Sequence, residues 1–299
     1  NYHISAVHAS YNLSQPWNVP TGFYRRISND PADEVLPSDA YFVEDRDWDP
    51  EDTGLNLVPD QEWGQGTFDA TLYLGRWSVR DTHEVANITA KTVAHTPSGK
   101  TLFAESAEFD GALSKTICTW PPDSYWGERA YASCYNNSYE MRTRLFEGNS
   151  PWLKTESLYV EIANPSEVAA FYDKLLNYDG VVYTLFHGYY YCLAMEANLC
   201  VGIETLKFNT LLPFYEPAGC YVSAVYSGRE DTLTESLHNA ATGPAIVSTA
   251  GHNEYGYYEN LRLGQPVGQA FWRAGAVYTY WLNPILLQGD PSLQVFVGP

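Results

Sequence analysis

Short apolar runs that alternate with helix-patterned stretches predict an α/β protein with a mainly parallel central sheet and helices on both faces. Three observations carry this reading. Two short apolar runs, the β-branched Val181–Phe186 and then Leu211–Tyr215, stop at His187-Gly188 and near Gly219-Cys220, as neighbouring strands of one sheet would. Helical patterns fill the stretches around 82–94, 164–179 and 231–240. A further apolar run, Ala245–Thr249, follows the last of these helices. Open α/β sheets bind ligands beyond the carboxyl ends of their strands, so the reactive residues belong there.

At 299 residues the chain can bury a sizeable core. Its formal charge of −19 and pI near 4.6 repel phosphate backbones and anionic lipid, which disfavours nucleic-acid and membrane-surface partners. Acidity of this kind also serves simply to keep a protein soluble. No apolar run approaches the ~20 residues of a membrane helix. The chain opens at Asn1 without a signal-like apolar core, and we expect a processed product.

In chain order, residues 1–36 read as irregular or short-stranded, the tail of a preceding unit, and 37–299 as one domain. Asp45, Asp47 and Asp49 alternate within an acidic run and can turn several oxygens toward a hard cation such as calcium. A solvated loop accounts for the same residues, since the glycine and distal glutamate of an EF-hand loop are missing. A strand is predicted over Ala70–Trp77, a turn over 78–81, and a helix over 82–94 with Val85, Ile88 and Val93 as its buried stripe. Thr101–Ala107 predicts a strand that leads to Glu108, and residues 111–150 a loop-rich insertion. Ser157–Ile162 predicts another strand. Asn164, Pro165 and Glu167 form a helix-start signature. Strand Val181–Phe186 leads to His187, and the strand near Leu211–Tyr215 leads to Cys220. A helix follows from Asp231 or Thr232, then strand Ala245–Thr249, a Gly- and Tyr-rich loop over 251–256, and a helix over 266–274. The terminal stretch from Asn283 to Val295 reads as a short helix or turn and a last strand.

Five cysteines are present, at 118, 134, 192, 200 and 220. Cys118 with Cys134, and Cys192 with Cys200, each bracket a short segment; pairing them in an oxidising compartment leaves Cys220 as the odd thiol. Five reduced thiols in a cytosolic protein is the other reading. Triplets at Asn12, Asn87 and Asn136 match the glycosylation acceptor pattern and lean toward a secreted or cell-surface protein. His187-Gly188 means little alone, because a strand-end histidine commonly serves structure, and cysteines are commonly buried as small apolar groups. Together they mean more: both follow apolar runs, both adjoin a glycine, and they lie 33 positions apart, an interval that fits one strand-loop-helix crossover.

Laid out this way, residues 37–299 resemble the gingipain-type cysteine peptidases, a branch of the caspase-like fold. The resemblance rests on ordered blocks: Pro37-Ser38-Asp39-Ala40-Tyr41-Phe42, Gly75-Arg76-Trp77, the strand from Lys100 to Glu108, Phe186-His187-Gly188, Ala218-Gly219-Cys220, Ala245–Tyr257, and Gly289-Asp290-Pro291-Ser292-Leu293. It implies a caspase-like sandwich and a cysteine endopeptidase made as a zymogen, acting on peptide or protein substrates. Cys220 would be the nucleophile and His187 the general base. The N–H groups of Gly188 and Cys220 would form an oxyanion hole, and Glu108 would orient His187. Asp123, Glu254 and Tyr255 are candidates for contacting the residue before the scissile bond, and an acidic pocket suits Arg or Lys. No cofactor is required for this chemistry, and calcium at Asp45, Asp47 and Asp49 would be structural. Two other readings stay open: a sortase-like transpeptidase on the same fold, and a non-enzymatic surface or filament-forming glycoprotein. The sequence leaves the oligomeric state undefined.

Overall fold

The computed structural model describes residues 22–25, 35–38, 73–106, 146–161, 163–186, 188–189, 191–193, 201–202, 206–219, 222–223, 232–249, 254–273 and 286–299. Among them, residues 22–25, 35–38, 189, 201–202, 254–255 and 272–273 are described for the backbone alone.

Near the amino terminus, β1 (Gly22–Arg25) and β2 (Val35–Ser38) pair as an antiparallel hairpin. Helix α1 spans Thr82–Ala94, with Asp81 as its N-cap accepting from the backbone N–H groups of His83 and Glu84. Then come β3 (Lys100–Ser106), β4 (Lys154–Val160) and α2 (Pro165–Asn177). The cap predicted for α2 is present: Asn164 accepts from Ser166 N–H, Pro165 opens the helix, and Glu167 accepts from the Asn164 side chain. Next are β5 (Val181–Leu185), β6 (Gly188–Tyr189), β7 (Cys192–Leu193), β8 (Val201–Gly202), β9 (Leu211–Leu212) and β10 (Tyr215–Ala218). Helix α3 (Leu233–Asn239) starts on a capping box between Thr232 and Glu235. The described chain ends with β11 (Gly243–Pro244), β12 (Val247–Thr249), α4 (Glu254–Arg262), α5 (Val267–Arg273) and β13 (Leu286–Gln288).

Six strands form the central sheet in the order β13-β12-β10-β5-β3-β4. All neighbours are parallel except β12 with β13. Alternating side chains divide the core in two. On one face Phe103, Tyr183 and Phe214 pack against Tyr257, Tyr258 and Leu261 of α4 and Phe271 of α5. On the other, Leu102, Val182 and Tyr215 pack with Phe171 and Leu175 of α2 and Leu233 and Leu237 of α3. This is the predicted α/β architecture with helices on both faces.

The structure corrects several expected elements. Helix α1 does not bury the Val85–Ile88–Val93 stripe: Val85 and Val93 are exposed, and Glu84, Ile88 and Lys91 form the inner face. That polar face is tolerable because Glu84 binds Arg80 and Asn239, and Lys91 binds two carbonyls of α3. The run Leu211–Tyr215 is two elements, since β9 pairs with β11 and only β10 enters the central sheet. Pro213 between them has no N–H to continue a ladder. In place of a strand through residue 77, Arg76 makes a single bridge to Gln288. Strand β4 begins three residues earlier than expected, and α4 begins inside the stretch read as a loop. At the carboxyl terminus the strand precedes the turn, because Gly289 breaks β13 and Asp290 then accepts from Ser292 in a tight turn.

The terminal Gly-Asp-Pro block is clamped from both sides. A Cβ on Gly75 would lie 2.2 Å from Gly289 O, and one on Gly268 would lie 2.5 Å from Pro291 Cβ. Gly289 itself sits at φ +131°, a region L-residues avoid, with Ala245 O 3.0 Å from any added Cβ. Gly289→Ala is expected to lower unfolding free energy by about 2 kcal/mol, measurable as a shifted denaturant midpoint.

Candidate active site

The register of β5 and β10 fixes the geometry of the strand ends. Tyr215 faces Val182, and the ladder runs to Ala218 opposite Leu185. The Phe186 N–H donates to Ala218 O at 3.1 Å, so the pairing persists to the last residues before positions 187 and 220. Gly219 then lies against the other strand's exit: an added Cβ would be 2.9 Å from Phe186 O and 3.1 Å from Gly188 Cα. Only a hydrogen at that position permits so close an approach of two backbones.

On the other side of β10 the sheet opens. Tyr215 N–H donates to Ile246 O at 2.9 Å, but two residues later Pro217 has no N–H for the next rung. Among the described residues the β10–β12 pairing accordingly consists of one register pair, Tyr215 with Val247. The strand that leads to Cys220 is thus held on its β5 side and loose on its β12 side. After position 220 the chain returns as Val222 and Ser223, anchored by Thr234 N–H donating to Val222 O and by the Ser223–Thr249 hydroxyl contact at 3.2 Å.

Two acids that the sequence reading passed over lie beneath these ends. Glu105 and Glu216 are both buried, at 3% and 1% exposure. Alternation puts them on the α4 face, with Glu105 level with Leu185 and Glu216 level with Tyr183. Burial first, and then the Glu216 charge, push the Tyr257 hydroxyl well above its ordinary pKa; that hydroxyl donates to Ser248 Oγ at 3.2 Å. A protonated Tyr257 is therefore a fixed donor on this face. The signal for these acids was present as a glutamate at an inward position of each strand. It was masked because the surrounding residues read as simple apolar runs.

Of the predicted site residues, Gly188 is described: it is buried, opens β6, and adjoins Gly219. Glu254 and Tyr255 open α4, with only their backbone described. Cys220, His187, Glu108, Asp123, Asp45, Asp47 and Asp49 lie outside the described residues, as do Cys118, Cys134 and Cys200. Cys192 is buried and disulfide-bonded. The crossover between β5 and β10 carries the β6-β7-β8 ribbon and β9, with no helix among its described residues; positions 187, 190, 194–200 and 203–205 lie outside them. Asn87 is half-buried in α1, and its Nδ2 donates to Asn239 O at 3.1 Å. Among the described residues no group of three or more His, Cys, Asp or Glu side chains is arranged to hold a metal ion, and no helix is long and apolar enough to cross a membrane.

Solved structures share this architecture. The Arg-specific cysteine proteinase gingipain R matches with a TM-score of 0.51 at 15% identity, covering 78% of this chain and 57% of that one. A complex of the pro- and mature domains of Porphyromonas gingivalis RgpB matches with a TM-score of 0.50 at 14% identity, covering 78% and 58%. The chain thus spans less than two thirds of the gingipain chains it matches, and at these identities the likeness is one of fold. No curated protein sequence is significantly similar. The family model described as Peptidase family C25 matches residues 8–296, and by that match, on a sheet whose central strands end side by side, the chain belongs to peptidase family C25.

Proposed function

We propose that the protein is a cysteine endopeptidase in which Cys220 attacks the scissile carbonyl and His187 first takes the thiol proton and then protonates the leaving amine. The observation that carries this reading is the in-register pairing of β5 and β10 up to Ala218, with Gly219 packed on Gly188. Residues 187 and 220 each follow directly from those paired ends in the sequence. Gly188 N–H, with that of Cys220, is the proposed donor pair for the oxyanion, a role in which losing one donor typically costs about 3 kcal/mol of transition-state stabilisation. Glu108, two residues beyond β3, is the proposed partner that orients His187.

Preference for Arg or Lys before the scissile bond is part of the proposal. Its support is the acidity of the α4 face, where Glu105 and Glu216 are buried, with Glu254, Tyr255 and Asp123 as further pocket candidates. Gingipain R is itself described as Arg-specific. We further propose a secreted or surface-bound protein made as a zymogen, with Cys192 bridged to Cys200, Cys118 to Cys134, and a calcium ion at Asp45, Asp47 and Asp49 in a structural role. Calcium would take no part in the peptide-bond chemistry.

The test is covalent labelling with acyloxymethyl ketones that carry Arg, Lys, Asp, Asn or a neutral residue next to the warhead, followed by peptide mapping. Modification of Cys220, fastest with the Arg or Lys probe, is expected. A folded, reduced protein that no probe labels at Cys220 sinks the peptidase reading; equal labelling by all probes sinks only the basic preference.

A further inference from the structure

The end of the sheet opposite Ala218 and Gly219 holds a cavity of about 410 Å³, within the size range of small-molecule sites. It lies where the strands enter: Lys100 at the start of β3, Lys154 at the start of β4, Asp179 ahead of β5 and Ala245 ahead of β12 line it, and the last turn of α1 contributes Lys91.

Its charge contrasts with that of the whole chain. In a protein of net charge −19, the cavity is lined by three lysines and one carboxylate. Lys100 is engaged by Asp179 at 2.8 Å. Lys154 reaches Glu156 at 3.1 Å, but that carboxylate also holds Lys174 at 2.6 Å. Lys91 is 2% exposed, and among the described residues its Nζ donates to the carbonyls of His238 at 2.6 Å and Leu237 at 3.4 Å. An ammonium has three N–H donors, so one is left without an acceptor among the described residues, and no carboxylate there balances the charge. Leu211, Leu212 and Pro213 form an apolar stretch of the wall, and His95, Thr96 and Ser98 add polar side chains elsewhere on it.

We propose that this cavity is a second ligand site, which takes a small organic carboxylate. Its anionic group meets Lys91 and Lys154, and its apolar body lies along Leu211, Leu212 and Pro213. The site stands apart from the reaction end of the sheet and does not depend on the peptidase reading.

Binding is linked to protonation of Lys91. Burial lowers its pKa to about 7, so near neutral pH the ammonium is only partly formed and an anion would draw a proton onto it. The groups that face it do not supply that charge. His238 from α3 is held neutral by burial and by Lys91 itself, and His95 at the end of α1 is pushed down by burial. Lys100 and Asp179 from the strand entries pair with each other, Lys154 adds a fixed positive charge at the rim, and Glu84 on α1 is engaged by Arg80 and Asn239.

Isothermal titration of the full chain tests this, with benzoate as the probe, sulfate as the anion without an apolar body, and benzyl alcohol as the apolar body without a charge. Saturable one-to-one binding of benzoate is expected at about pH 6.5, weakening about tenfold by about pH 8.5 as Lys91 loses its proton. Lys91→Met is expected to weaken binding at least about tenfold. Leu211→Trp fills the cavity from its exposed rim without touching the buried lysine, so it decides the matter if the Lys91 variant fails to fold. No saturation of the wild-type protein by about 20 mM benzoate, or binding unchanged in both variants, overturns the proposal. So does benzyl alcohol or sulfate binding as tightly as benzoate.

Discussion

Gly219→Ala should reduce kcat/KM on the best peptide substrate about 100-fold while leaving a folded protein. The new Cβ would meet Phe186 O at 2.9 Å and Gly188 Cα at 3.1 Å, and both are backbone atoms that cannot swing aside. The strand ends must part instead, which stretches the Phe186–Ala218 hydrogen bond, now 3.1 Å. Displacement of a reacting group by about 1 Å is enough to forfeit about two orders of magnitude in rate. Strain of the same kind can be placed elsewhere as a control. A Cβ on Gly180 would lie 2.8 Å from Lys100 O, at the entry of β5 and remote from its exit. Gly180→Ala should therefore lower the melting temperature with little change in kcat/KM per folded molecule. Equal activity loss in both variants would mean that the effect is general destabilisation and that the β5–β10 junction does not set the reactive distance.

The amino-acid pattern revealed the elements wherever local chemistry decides them. Asn164-Pro165 with Glu167 defined the start of α2 because a cap, a fixed φ and a reciprocal carboxylate act within one turn. The adjacency of the strands that lead to residues 187 and 220 was legible as well, but only β5 carries the buried apolar pattern of a central parallel strand; of the run that pointed to the second strand only Tyr215 enters β10, whose other residues are Glu216, Pro217 and Ala218. What escaped is set by tertiary context. Glu84 and Lys91 line the inner face of α1, where apolar Val85 and Val93 were expected, because their partners come from α3, about 150 residues away. Nothing in the local sequence announces an Asn239 amide or a His238 carbonyl at the right height. The shortened β10–β12 ladder is different: Pro217 is visible in the sequence, but its consequence needs the knowledge that its N–H would have faced β12. Glu105 and Glu216 stayed hidden for a similar reason, since only the assembled sheet shows two inward carboxylates on one face.

Lys91→Met is expected to make the protein more stable in acid and to lose that advantage in base. The folded-state pKa of Lys91 is about 7, against an ordinary value of 10.5, with desolvation as the cause. For a base whose pKa falls on folding, the destabilisation is complete below the folded pKa and vanishes above the unfolded one, so wild-type stability should rise between about pH 7 and about pH 10.5. The full span corresponds to a ceiling of about 4–5 kcal/mol at about pH 6. Against it stands the loss of two hydrogen bonds to carbonyls in the last turn of α3, worth about 1–2 kcal/mol, and Met is close enough to Lys in volume to keep the packing. Desolvation wins in acid: urea unfolding at about pH 6 should show a net gain of about 2–3 kcal/mol, fading to nothing near about pH 9.5. A pH-independent difference of either sign would show that Lys91 is not a desolvated ammonium. A gain of the expected form would show that the fold carries a destabilising charge at the wall of its amino-end cavity, which is the energetic situation a bound carboxylate would relieve.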